Sequence, residues 1–223
     1  MKKRYLFGAL VLVALAALAR NCRYGAEKQD VPEKYRNAHL TAVSAQNLLK
    51  QKKYEEALTY YEAARAEMEH EAVGADKGED LYVNYGFVCN DIGVIRLAWA
   101  LYGRPADTTR GGIDPEKVDP AELAAATASL EAAVAFYHRW YGHNPQEYER
   151  YARAVSESLA NLGVAYKYAG ERDRAVETFG DALRFHPKNG NAERSLGLLG
   201  VDPAPYREAG ERARKQTKKF RLF

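Results

Sequence analysis

An all-α fold is what this sequence predicts, and three observations predict it. Apolar residues return at three- and four-residue spacing in paired blocks, such as Leu159, Leu162, Val164 and Tyr166 followed by Ala175, Val176, Phe179, Ala182 and Leu183. Short polar or glycine-bearing breaks separate the blocks, as at Gly170-Glu171-Arg172-Asp173, so each pair reads as two amphipathic helices joined by a turn. Alanine, glutamate, arginine and leucine abound, while 8 prolines in 223 residues are too few for a turn-rich sheet protein. A chain of this length suits one domain of ordinary size with a proper core.

The first element is a leader. Met1-Lys2-Lys3-Arg4 precedes the uncharged, mostly apolar run Tyr5–Ala19, whose membrane-facing residues are Tyr5, Leu6, Phe7, Leu10, Val11, Leu12, Val13, Leu15 and Leu18. Such a segment targets a membrane and takes no part in the core. Three fates compete. Ala17-Leu18-Ala19 fits signal-peptide cleavage, although Arg20 and Arg23 would then crowd the new N-terminus. An uncleaved anchor would span only about 22 Å as a helix, short of the ~30 Å hydrocarbon core, a gap that arginine snorkelling or local thinning closes. Acylation at Cys22 is the third, with Ala19-Arg20-Asn21 departing from the usual small-residue lipobox. The anchor is the favoured fate. The stronger basic cluster precedes the segment, so the body is expected outside the inner membrane of a bacterial envelope, tethered or in the periplasm.

After a polar linker at 20–32, a helical pattern runs from Glu33 to Lys52, and after Gln51-Lys52-Lys53 a second runs from Tyr54 to His70. Leu81–Leu101 is a long, strongly apolar helix, broken at Tyr102-Gly103-Arg104-Pro105. The loop 103–118, with Gly111-Gly112, is a candidate partner contact. Asp119-Pro120-Ala121-Glu122 opens the next helix, with Asp as cap, Pro in the first turn and Glu reaching back. It continues to about Tyr141. A further long helix covers Gln146 to Tyr168, and Asn191–Leu199 forms a half unit in which Leu196-Gly197 echoes Leu162-Gly163. Pro203-Ala204-Pro205 interrupts, and the end, Tyr206–Phe223, reads either as a basic helix or as a disordered tail.

The spacing is more specific than amphipathicity. Leu162-Gly163, Tyr166, Ala175, Phe179, Ala182 and Pro187 resemble a tetratricopeptide repeat (TPR). In that unit small residues stand where the two helices approach closely, aromatics fill the space beside them, and the proline stops the second helix. Ala57, Tyr61 and Ala64 repeat the pattern 118 residues earlier, with Ala45 at the glycine position and Glu69 at that of the proline. In the middle, Ile92-Gly93 pairs with either Ala126-Leu130-Ala133 or Ala133-Tyr137-Trp140. The resemblance therefore implies a TPR-like solenoid of about three helix pairs (33–71, 77–141 and 146–189) with a cap at 190–202. It also implies a scaffold for protein partners, such as subunits of a membrane complex, and no chemistry of its own.

The family's groove is lined by the first helix of each pair. Carried over, the lining is His39, Ala42, Gln46 and Lys50, then Phe87, Asn90 and Val94, then Glu157, Ala160, Val164, Lys167 and Tyr168. Ala42 and Gln46 occupy positions where the best-known groove clamps a C-terminal carboxylate, so that ligand is not expected.

Charge and motif exclude other classes. The net charge of +3 combines a basic start, a body of about −5 over 20–202, and an end at 203–223 with seven basic and two acidic groups. No broad basic face for nucleic acid follows. Cys22 and Cys89 have no metal or redox spacing. His138 and His143 lack ligands beside them, the carboxylate pairs Glu55-Glu56, Glu147-Glu149 and Glu171-Asp173 sit at helix starts, and no phosphate loop or serine elbow occurs. No catalytic residue, metal or cofactor is expected. The tail cations Arg212, Arg214, Lys215, Lys218, Lys219 and Arg221 stand beside Phe220, Leu222 and Phe223. They read as a solvated terminus or as a docking element for anionic lipid or an acidic partner.

Overall fold

The computed structural model describes residues 31, 33–72, 83–104, 113–143 and 147–220. The leader with Cys22, part of the 103–118 loop, and Arg221 lie outside the described residues. Among those described, every element is helical and no strand occurs. The α-helices are α1 (Arg36–Lys50), α2 (Tyr54–Ala72), α3 (Asn84–Tyr102), α4 (Pro120–His143), α5 (Tyr148–Tyr168), α6 (Arg172–Phe185), α7 (Gly190–Leu198) and α8 (Ala204–Phe220). The chain divides into two compact units, Met1–Asn144 and Pro145–Phe223.

In the first unit α1 pairs with α2, α3 pairs with α4, and α2 also packs on α3. The helix expected from Glu33 begins instead as a 3-10 turn, Glu33–Tyr35, and ends at Lys50, because Lys52 turns left-handed at φ 63°. Small Ala38, Ala42 and Ala45 are buried on α1, which lets α2 bring in Ala57, Tyr61 and Ala64. Helix α3 buries 15 of its 19 residues. Its sequence is apolar on every side, which is how a helix reads when its neighbours surround it. At Gly93 a Cβ would stand 2.6 Å from Leu130 Cγ and 3.2 Å from the Ala126 carbonyl. The pairing of Gly93 is therefore with Ala126-Leu130-Ala133, all fully buried, while Tyr137 meets Gly86 instead.

Asp119 caps α4 as expected, its Oδ1 accepting from the backbone of Ala121 at 2.9 Å and Glu122 at 3.1 Å. Glu122 does not reach back to close a capping box. Its carboxylate is taken by Arg96 on α3 at 3.2 Å and by Arg104, whose guanidinium lies 3.9 Å over the Trp99 ring. Arg96 also binds Glu62 on α2 at 2.5 Å, so one guanidinium ties α2, α3 and α4 together.

In the second unit α5 pairs with α6, and α6 in turn carries α7 and α8. Gly163 admits the Phe179 ring, where a Cβ would stand 2.7 Å from Cδ1. Arg174 stacks 3.9 Å over Tyr166 and donates to its hydroxyl at 2.5 Å. Asn189 is the keystone of the next connection. Its Oδ1 accepts from the backbone of Asn191 and Ala192, both at 3.1 Å, which caps α7. Its Nδ2 donates to Ser156 Oγ at 2.7 Å and to the Ser156 carbonyl at 3.0 Å, while Ser156 donates to the Ala182 carbonyl at 2.6 Å. One buried amide therefore fixes α7 against α5 and α6.

At the end of the chain one expectation needs correction, and of the two alternatives for the basic end the helix is the one found. The cap ends as a helix at Leu198, and within it Leu196 is buried but Gly197 is exposed and a Cβ there would meet no packing neighbour within 4 Å, so the echo of Leu162-Gly163 is one of sequence and not of packing. The basic end is a helix from Ala204, with Pro205 tolerated in its first turn.

Candidate functional site

In the first unit a side-chain hydrogen bond links the two helices that carry the expected lining, α1 and α3. His39 Nδ1 and Asn84 Nδ2 lie 2.9 Å apart, a bond between two first helices across 45 residues of sequence. Burial pulls the His39 imidazole below its ordinary value. With the ring neutral and its proton on Nε2, Nδ1 accepts from the amide. Gln46, Asn84 and Asn90 are buried amides on these two helices, and Asn90 Nδ2 donates to Asp91 Oδ1 at 3.2 Å. Buried amides in apolar surroundings are costly unless bonded, so this concentration on α1 and α3 is a chemical feature of the face. Lys50 is exposed at its end, and Phe87 is half-buried with its ring 6.0 Å from that of Tyr137. Ala42 and Val94 are fully buried, and Gln46, Asn84 and Asn90 nearly so, which leaves His39, Lys50 and Phe87 as the accessible residues of the expected lining.

In the second unit the expected lining lies along α5. Glu157, Val164, Lys167 and Tyr168 are half-buried and Ala160 is buried. Glu157 accepts from Arg153 Nε at 2.9 Å; burial lifts its carboxyl above the usual range while Arg153 opposes the rise. Lys167 lies 5.0 Å over the Tyr168 ring, and burial pulls its ammonium down to about 8. This strip is a mixed, partly desolvated surface suited to hydrogen bonding.

Asn84 and Asp91 were missed by the groove reading. The signal was present, as polar residues in an otherwise apolar helix, but the family positions drew attention to Asn90 alone. Cys89 is a fully buried free thiol, pushed up to about 12 chiefly by desolvation. His138 is exposed. No group of three His, Cys, Asp or Glu residues stands placed to hold a metal ion among the described residues. No helix among them is long and apolar enough to cross a membrane. The tail cations Arg212 and Lys215 are exposed on α8, and Arg214 is half-buried.

Compared with models of known protein families, with curated proteins and with solved structures, the chain matches none.

Proposed function

We propose that the helix pairs of this chain are TPR-like units of the solenoid type and that the protein is a scaffold for other proteins. On this reading it is tethered to, or exported across, a bacterial inner membrane by Tyr5–Ala19. There it serves as accessory subunit or assembly factor of an envelope complex. The observation that carries the reading is a repeat of bonds. The α1/α2 turn has Lys53 N–H donating to the Leu48 carbonyl and Lys52 N–H to that of Leu49. The α5/α6 turn has Glu171 N–H donating to Tyr166 and Gly170 N–H to Lys167, every position shifted by the same 118 residues. Repeated helix pairs stack to present a surface, and the α1/α3 side that carries His39, Lys50 and Phe87 is the one this reading gives to a partner. Binding there, at a tethered concentration, is the mechanism.

The test is purification through a C-terminal tag from gently solubilised membranes, with the N-terminus sequenced. The expected result is a retained leader and a stoichiometric set of membrane proteins, lost when His39 and Lys50 are both replaced. A soluble protein beginning at Arg20 would overturn the tether and favour a free periplasmic peptide- or ligand-binding module.

A further inference from the structure

Asn189 is followed by Gly190, and the sequence contains no other Asn-Gly pair. In such a pair the backbone nitrogen of the second residue can attack the side-chain amide carbon of the first, and glycine puts no Cβ in the way. Asparagine is thermolabile by this route. The fold itself has no need of glycine here. Gly190 is exposed at the first position of α7, and its φ is not left-handed. A Cβ there would meet no packing neighbour within 4 Å. A position that accepts a side chain, and where glycine weakens the helix, carries the residue that makes Asn189 labile.

The folded chain holds that reaction off. Asn189 is buried, and both polar atoms of its side chain are engaged. Nδ2 gives its hydrogens to fully buried Ser156, to Oγ at 2.7 Å and to the carbonyl at 3.0 Å. Oδ1 is held by the N–H groups of Asn191 and Ala192 at the start of α7. The main chain is fixed as well, with Asn189 N–H donating to the His186 carbonyl at 2.9 Å and its own carbonyl accepting from Glu193 at 3.1 Å. For attack, the amide carbon must turn toward the Gly190 nitrogen, which breaks the cap. Nδ2 must then leave, which breaks both bonds to Ser156. These bonds part together when α7 lifts from α5 and α6.

We propose that Asn189-Gly190 is a site of spontaneous deamidation gated by the docking of α7. When α7 opens, the Gly190 nitrogen gives its proton to hydroxide and bonds to Asn189 Cγ. The Cγ–Nδ2 bond breaks, ammonia leaves and a succinimide remains. Water then opens the ring at one of its two carbonyls, to aspartate or to isoaspartate. Neither oxidant nor enzyme takes part. Both products spoil the tie. Aspartate keeps an oxygen on the α7 cap but turns its second carboxylate oxygen on the Ser156 carbonyl, acceptor against acceptor. Isoaspartate routes the main chain through the former side chain and loses the cap as well. A reversible opening of α7 thereby becomes permanent, which gives this end of the second unit a chemical lifetime. The proposal does not rest on the scaffold reading.

The test is incubation of the full chain at mildly alkaline pH, then cleavage after glutamate and mass spectrometry of the peptide 178–193. Fragmentation assigns the amide-to-acid mass gain to Asn189 or to Asn191. Conversion at Asn189 should be at least ~10-fold slower in buffer than in denaturant, because only the open fraction reacts. Arg172, exposed at the other end of α7 from Asn189, donates to the Leu199 carbonyl at 2.7 Å. Arg172→Ala should therefore speed conversion several-fold in buffer and leave the rate in denaturant unchanged. Ser156→Ala should do the same, and where it fails to fold Arg172→Ala alone decides. Gly190→Ala should suppress conversion under both conditions while thermal unfolding is kept. Hydrogen exchange of the converted chain should show protection lost over 190–199 and kept over 148–185. Equal rates in buffer and denaturant would overturn the proposal. So would a rate in buffer that Arg172→Ala leaves unchanged, or α7 protection that survives conversion.

Discussion

The turn between α1 and α2 and the turn between α5 and α6 close with the same two hydrogen bonds, yet one holds Lys52 in the left-handed conformation and the other holds Gly170. The φ angles are 63° and 81°. Both are helix C-termini in which the residue two beyond the helix cap donates to the third-last carbonyl, the arrangement that favours glycine at the residue before it. Gly200 repeats it a third time, with Val201 N–H donating to the Leu196 carbonyl. Geometry is kept at this site while residue chemistry is not. A lysine in that conformation crowds its Cβ against the carbonyl, at a cost of about 1–2 kcal/mol. The first unit therefore carries local strain that the second does not.

The largest test of the comparison concerns the contacts beside the turns. Phe179→Ala should destabilise the second unit by about 3–5 kcal/mol, and Leu130→Ala should cost the first about as much. Hydrogen exchange should show the loss of protection in 147–220 for the former and in 84–143 for the latter. A loss spread evenly over the chain would break the division into two units. Next, Asn189→Ala removes the α7 cap and leaves Ser156 without its donor, an expected loss of about 2 kcal/mol in chemical denaturation. Asn189→Asp keeps the cap and should recover part of it.

At the turns themselves, Lys52→Gly should raise stability by about 1 kcal/mol and Gly170→Ala lower it by about 1 kcal/mol. Equal and opposite shifts in the denaturation midpoint would sharpen the comparison; a loss in both would end it. The smallest effect is electrostatic. Because burial lowers Lys167 to about 8 from 10.5, the fold disfavours the charged form. Between those pH values the unfolded chain binds more protons, so stability rises with pH there. Lys167→Met should raise the midpoint slightly at pH 7, and the gain should shrink from pH 8 to 10.5.

How legible the molecule was in its sequence differs between the same regions. Around Gly163 and Phe179 the pattern was readable because the connecting turn is short and each helix exposes one polar side. The spacing alone predicted which residues would be buried. Around α3 it failed to fix the register. An apolar helix has no periodicity to read, and Gly93 lies 33 residues from Ala126, where Gly163 lies only 12 from Ala175. The insertion broke the ruler. Family positions named His39, Gln46 and Asn90 but not Asn84, whose bond to His39 spans 45 residues of sequence and joins α1 to α3. Glu122 was read as reaching back to close the capping box because local signals favour it, and two arginines, on α3 and just after it, outcompeted the backbone.

The most direct test of the scaffold is photocrosslinking in native membranes. A photoreactive phenylalanine analogue would replace His39 or Lys50 on the α1 face, and Thr59 or Tyr60 on exposed α2 in the control. The account predicts one discrete adduct from the α1 positions and none from α2. Equal adducts from both faces, or none from α1 while tagged protein still brings down partners, would contradict it.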